Sequence, residues 1–211
     1  TWGAGLAFCA FDYAIDISVH ALTKYPSGGA DVLMGSIVTR DRALHLQLKD
    51  VHAQLGVGIA ANDAELVLRN LPTLLLRYQQ QDQNARQLAQ WLSQQPQIAQ
   101  VLHPARPDNV GYAEWLAVCG QTDMAAGLFS VIFRAEISQA QVDGFCDALR
   151  LFKIGFSWGG PISLVMGYSV QAIRPQQPAH LQHGCLVRLS IGLENLNDLQ
   201  QDLAQALLTL Q

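Results

Sequence analysis

Asp16-Ile17-Ser18-Val19-His20-Ala21-Leu22-Thr23-Lys24-Tyr25, followed after Pro26 by the turn Ser27-Gly28-Gly29-Ala30-Asp31, is the stretch on which the reading of this chain depends. It sets one of only three lysines in 211 residues between a strand-like apolar run and a glycine-rich turn. A solvated lysine more commonly sits on a helix face among other charges. At the mouth of a buried strand, desolvation disfavours the ammonium form, and the free amine can attack a carbonyl. A Lys-Tyr pair before a turn is more often simply the end of a strand, so the stretch alone leaves both readings open.

Outward from the turn the pattern is α/β. Ala14 to Ala21 and Val32 to Thr39 read as short strands, with the glycines between them allowing a tight turn. Arg40 to Leu55 reads as a helix, because Leu44, Leu48, Val51 and Leu55 recur every three or four residues. A longer helical stretch spans 63–93, with Leu66, Leu71, Leu74, Leu75, Tyr78, Leu88 and Trp91 on its apolar faces. Pro72 is expected to kink or break it, since proline removes a backbone donor. The glutamines from Gln79 to Gln100 read as the polar side of helices and nothing more. From Ile98 a smaller α/β unit is expected, with strands at 101–104, 127–134 and 185–191. Ser138 and Gln141 form a capping box for a helix to Leu149, and a closing helix starts at Asn197. The long helix is read as a bridge between two domains, residues 1–70 and 71–211.

Half of the residues are hydrophobic and 14% are charged, a balance that suits a compact chain with surface hidden against a partner or a missing part of itself. A net charge of −4 leaves no electrostatic footprint for nucleic acid. No apolar run approaches the roughly 20 residues needed to cross a bilayer. Neither nucleic acid nor membrane is therefore an expected partner. Cys9, Cys119, Cys146 and Cys185 lack paired spacing and read as reduced thiols of a cytoplasmic protein, Cys9 as a buried one. The opening Thr1-Trp2-Gly3, without an initiator methionine or leader, reads as the middle of a longer polypeptide.

Three later stretches join Thr1-Trp2 and Thr23-Lys24-Tyr25: Phe156-Ser157-Trp158-Gly159-Gly160, Ala172-Ile173-Arg174-Pro175, and Val187-Arg188-Leu189-Ser190-Ile191-Gly192-Leu193-Glu194. In order and spacing the chain resembles the pyridoxal-phosphate enzymes of cysteine and methionine metabolism, and it resembles the C-terminal half of such subunits. The resemblance implies a fold type I, aminotransferase-like α/β architecture. Residues 1–70 would then be the last part of the cofactor-binding large domain, and 71–211 the interdomain helix and small C-terminal domain. It also implies pyridoxal 5'-phosphate held covalently by Lys24, with the Thr23 hydroxyl donating to its phosphate. Relatives carry a serine three residues before the lysine; Ala21 stands there instead, and Ser18 is a substitute by type only. The aspartate that partners the pyridine nitrogen in the family falls just ahead of Thr1. The 211 residues alone are accordingly expected to bind cofactor poorly.

Arg188 lies on an apolar strand, where spacing alone favours a structural ion pair. The resemblance implies instead that it binds the substrate α-carboxylate, which a planar guanidinium can hold with two parallel hydrogen bonds. Arg174 is a weaker candidate. Members of the family that act at the γ-carbon often read Glu-Ser-Leu-Gly-Gly where this chain has Phe156 to Gly160. Phe156, Ser157 and Trp158 therefore imply a substrate-binding wall of the β-lyase type, although both aromatics also read as core beside a glycine turn. The implied reaction is α,β-elimination of cystathionine to homocysteine, pyruvate and ammonia in methionine biosynthesis, with Lys24 as the base. A homotetramer built from dimers is implied as well. A cysteine desulfhydrase, a γ-type lyase or synthase, and a catalytically inert regulatory relative stay open. His180, His183 and Cys185 lie close together without a fourth ligand, so no metal site is expected. His20 reads as a core histidine.

Overall fold

A computed structural model describes residues 1–169, 176 and 184–210. Arg174 with its Ala172–Pro175 motif, His180 and His183 lie outside the described residues.

The lysine turn connects a two-stranded antiparallel ribbon. β1 (Ser18–Ala21) pairs with β2 (Gly35–Val38), Ser18 opposite Val38 and Ala21 opposite Gly35. β1 starts later than the apolar pattern suggests, because Ala10–Tyr13 forms a 3-10 turn and Ala14 takes a left-handed φ of 54°. Pairing also stops short at Gly35. Before it, Met34 bonds to Thr23, whose amide donates to the Met34 carbonyl at 3.1 Å and whose hydroxyl accepts the Met34 N–H at 3.0 Å.

α1 (Arg42–Gln54) opens on Asp41, whose carboxylate accepts the Leu44 N–H at 2.7 Å. No residue of α1 is buried; Leu46, Val51 and Leu55 are exposed. α2 (Ala61–Asn70) gives way at Pro72 to a 3-10 turn, Leu71–Thr73, and α3 (Leu74–Leu92) continues beyond it. The break expected at this proline is present.

α3 packs on a five-stranded sheet of order β3-β4-β7-β6-β5. The strands are β3 (Ile98–Leu102), β4 (Leu128–Phe133), β5 (Lys153–Ile154), β6 (Leu164–Tyr168) and β7 (Leu186–Ser190). All neighbours are antiparallel except β5 and β6. Helices α4 (Tyr112–Cys119), α5 (Gln139–Ala148) and α6 (Leu196–Leu207) are the remaining α-helices among the described residues. Both hydrogen bonds of the Ser138–Gln141 capping box are formed.

Period-2 alternation divides the sheet. Phe129, Val131, Phe133, Val165, Val187 and Leu189 enter a core shared with α3, α5 and α6. On the opposite face Arg188 is in register with Ser130 of β4 and Met166 of β6. Asp202 of α6 pins the turn into β5, its carboxylate accepting the N–H groups of Arg150 at 2.9 Å, Leu151 at 2.7 Å and Phe152 at 3.3 Å. A second cluster gathers Ala7, Tyr25, Tyr78, Trp115, Cys119 and Ala125. Cys9 does not join it: the thiol read as buried is exposed. Among the described residues no helix is long and apolar enough to cross a membrane.

Candidate active site

The site is built around the backbone of Tyr25. Its side chain is fully buried, edge-on to Tyr78 at 4.8 Å and to Trp158 at 5.8 Å. Burial pushes the phenol pKa far up, so Tyr25 stays neutral and its oxygen accepts the Gly127 N–H at 3.0 Å. The Tyr25 carbonyl accepts from Arg77 Nη1 of α3 at 2.7 Å. With its successor residue held on both sides, Lys24 is fixed at the backbone, half-buried.

From there Lys24 Nζ donates to Ser157 Oγ at 3.0 Å and stands 5.3 Å from the Trp158 ring centroid. The loop carrying Ser157 and Trp158 can come this close because glycines follow. Gly159 has φ +78°, and a Cβ there would lie 3.0 Å from the Tyr25 nitrogen; one at Gly160 would lie 2.8 Å from the Ala30 Cβ. Gln81 of α3 fastens the loop, its amide donating to the Gly160 carbonyl at 2.7 Å and to the Ile191 carbonyl at 3.1 Å.

Arg188 reaches the same loop from β7. Its Nη2 donates to the carbonyls of Phe156 at 2.7 Å, Gly155 at 3.2 Å and Ser157 at 3.3 Å. Among the described residues no carboxylate lies within ion-pair distance of it. The structural ion pair that spacing favoured is thus missing. Phe156 is 70% exposed, so this aromatic is not a core residue. Thr23 is engaged elsewhere: besides accepting from Met34, its hydroxyl donates to the Met34 carbonyl at 3.3 Å.

The structure therefore brings Lys24, Ser157, Trp158, Phe156 and Arg188 to one loop, and sets Thr23 immediately behind the lysine. His20 differs from expectation. It is half-buried on β1 at the edge of an apolar cavity of about 500 Å³ lined by Phe8, Phe11 and Ile17, and burial lowers its pKa. Gln81, read as helix surface, is 1% exposed. It lies three residues after Tyr78 and four before Ala85, on the buried stripe of α3, and that spacing was the available signal.

An amine aimed at a hydroxyl over an aromatic wall, with a guanidinium that reaches the same loop and has no carboxylate partner among the described residues, fits the aldehyde end of pyridoxal phosphate and an amino-acid carboxylate. The α/β architecture is that of fold type I pyridoxal-phosphate enzymes, and the comparisons with known proteins agree. The model of the Cys/Met metabolism PLP-dependent enzyme family matches residues 1–208, from the first residue on and not only over the C-terminal half of this chain. The chain belongs to this family, whose cofactor is pyridoxal phosphate.

Cystathionine beta-lyase MetC of Escherichia coli K12 is 36% identical over 208 residues, covering 96% of this chain and 51% of the relative. Cystathionine gamma-synthase of Mycobacterium bovis is 34% identical over 193 residues, covering 91% of this chain and 48% of the relative. The crystal structure of apo CalE6, a methionine gamma lyase from Micromonospora echinospora, superposes with a TM-score of 0.85 at 30% identity, covering 98% of this chain and 53% of that one. The chain spans about half the length of the relatives it matches.

Proposed function

We propose that these residues carry the lysine and the carboxylate-binding arginine of a carbon–sulfur β-lyase that cleaves cystathionine with water to homocysteine, pyruvate and ammonia. The observation that carries the reading is the shared use of Ser157. Its hydroxyl takes the hydrogen bond of Lys24 and its carbonyl that of Arg188, so base and carboxylate anchor are held by one residue. Bound pyridoxal phosphate supplies the electron sink for the α-carbon. Lys24 Nζ takes the α-proton and returns a proton to the departing sulfur, and Ser157 aims that nitrogen. Arg188 orients the substrate through its α-carboxylate. Phe156 and Trp158 form an apolar wall where a carboxylate would otherwise hold a distal amine. The Thr23 hydroxyl, which now donates to the Met34 carbonyl at 3.3 Å, would hold the cofactor phosphate.

A γ-cleaving reading has support in the synthase and γ-lyase relatives. Product analysis of the full-length protein with cystathionine separates the two. Pyruvate and homocysteine are expected, whereas 2-oxobutyrate and cysteine would move the assignment to the γ-type. In the same protein Lys24→Ala should abolish both pyruvate release and the visible absorbance of bound cofactor; retention of either defeats the role given to Lys24. The division into residues 1–70 and 71–211, a cytoplasmic location and a homotetramer of dimers belong to this proposal.

A further inference from the structure

Arg188 is tied to the protein backbone through a single nitrogen, at one corner of its planar guanidinium. All three protein acceptors lie on Nη2, and among the described residues Nε and Nη1 have no hydrogen-bond partner. Both side-by-side N–H pairs of a guanidinium include Nη2, so a carboxylate here would take a single hydrogen bond from Nε or Nη1, whose direction follows the guanidinium plane. Among the described residues, the aromatic face on the guanidinium is that of Tyr168, with Arg188 Cζ 5.7 Å from its ring centroid.

The sheet register explains why the two meet. Met166 faces Arg188 and Tyr168 faces Leu186 across the β6–β7 pair, so Tyr168 is the diagonal neighbour of Arg188 on the same face. Tyr168 is in turn braced by Phe156, edge-on at 6.5 Å, and the Phe156 carbonyl is the shortest acceptor of Nη2. Ring, guanidinium and loop carbonyl thus close a three-cornered clamp.

We propose that Tyr168 is a positioning residue for the carboxylate anchor: its ring, with the carbonyls on Nη2, fixes the guanidinium plane of Arg188 and so aims Nε or Nη1 at the substrate. This rests on Arg188 binding the α-carboxylate, as read above. The test uses full-length, cofactor-loaded protein and four substitutions. Tyr168→Leu should raise KM for the amino-acid substrate about three- to tenfold, the worth of a partly buried cation–π contact, with kcat within about twofold. Affinity for a non-reacting amino-acid analogue, read by calorimetry, should fall by the same factor. Tyr168→Phe should recover most of that loss. Pentafluorophenylalanine at 168 keeps the ring's shape while reversing its quadrupole, and should behave like Tyr168→Leu even where leucine impairs folding. If it instead behaves like phenylalanine, or if Tyr168→Leu leaves KM and analogue affinity unchanged, the proposal fails while the reading of Arg188 stands. An unchanged KM in Arg188→Leu removes the reading of Arg188, and the proposal with it.

Discussion

Replacing Ser157 by alanine removes the acceptor that aims Lys24 and leaves the chain trace intact. A hydrogen bond is worth about 0.5–1.5 kcal/mol net, so kcat for pyruvate release by the full-length protein should fall about two- to tenfold, with KM little changed. Gly159→Ala acts on the backbone. The new methyl meets the Tyr25 nitrogen at 3.0 Å in a residue with φ +78°, and urea unfolding should show a loss of about 1–3 kcal/mol. His103 gives the fold a pH dependence. It is fully buried, its Nδ1 accepts the Ala105 N–H at 3.2 Å, and burial, helped by Arg86 and Arg106, lowers its pKa from 6.5 to about 4. The unfolded chain therefore takes up this proton first: the contribution is complete above pH 6.5 and is lost as pH falls toward 4. His103→Gln should flatten that part of the stability profile, measured by urea unfolding across the window. A decline as steep as the wild type's would show that another group causes it.

Among the elements, α6 holds its neighbour by one carboxylate. Asp202→Ala strands the three N–H groups of residues 150–152 in a partly buried turn and should cost about 2–3 kcal/mol in urea unfolding. Ser138→Ala, at the exposed start of α5, should cost only about 1 kcal/mol. Local signals of this second kind were legible in the sequence: the Ser138–Gln141 box, the break at Pro72, and the leucine spacing of α1. Three elements escaped the reading. α4 is apolar on more than one side (Tyr112-Ala113-Glu114-Trp115-Leu116-Ala117-Val118-Cys119), so it shows no clean helical stripe. β5 has only two residues, and β6 is a five-residue apolar run of a kind that periodicity alone cannot assign. The same distinction holds in the site. Lys24, Ser157, Trp158 and Arg188 stand in contiguous motifs, whereas Gln81 is marked only by its place on the buried stripe of α3, and Tyr168 contributes through a cross-strand contact that no local pattern announces.

Across the whole molecule, apolar surface is unevenly distributed. The sheet with α3, α5 and α6 encloses a continuous core, while Val19, Leu33, Ile37, Leu55, Val57, Ile59 and Leu68, all within the first 70 residues, are exposed. Exposed apolar side chains in this number favour association. The 211 residues expressed alone should self-associate in sedimentation and release no pyruvate from cystathionine, whereas the full-length protein should do so. Turnover by the isolated chain would mean that no further residues are needed for chemistry.

The Gly127 amide ends its strand by bonding to a phenol instead of a neighbouring carbonyl, while the Gly127 carbonyl receives the Ile191 N–H. Its deuterium uptake is therefore a gauge of one event, the withdrawal of Tyr25 from the pocket between α3 and the loop around Trp158. Timed against the amides inside β4, it would register how often the lysine-bearing turn parts from the rest of the protein.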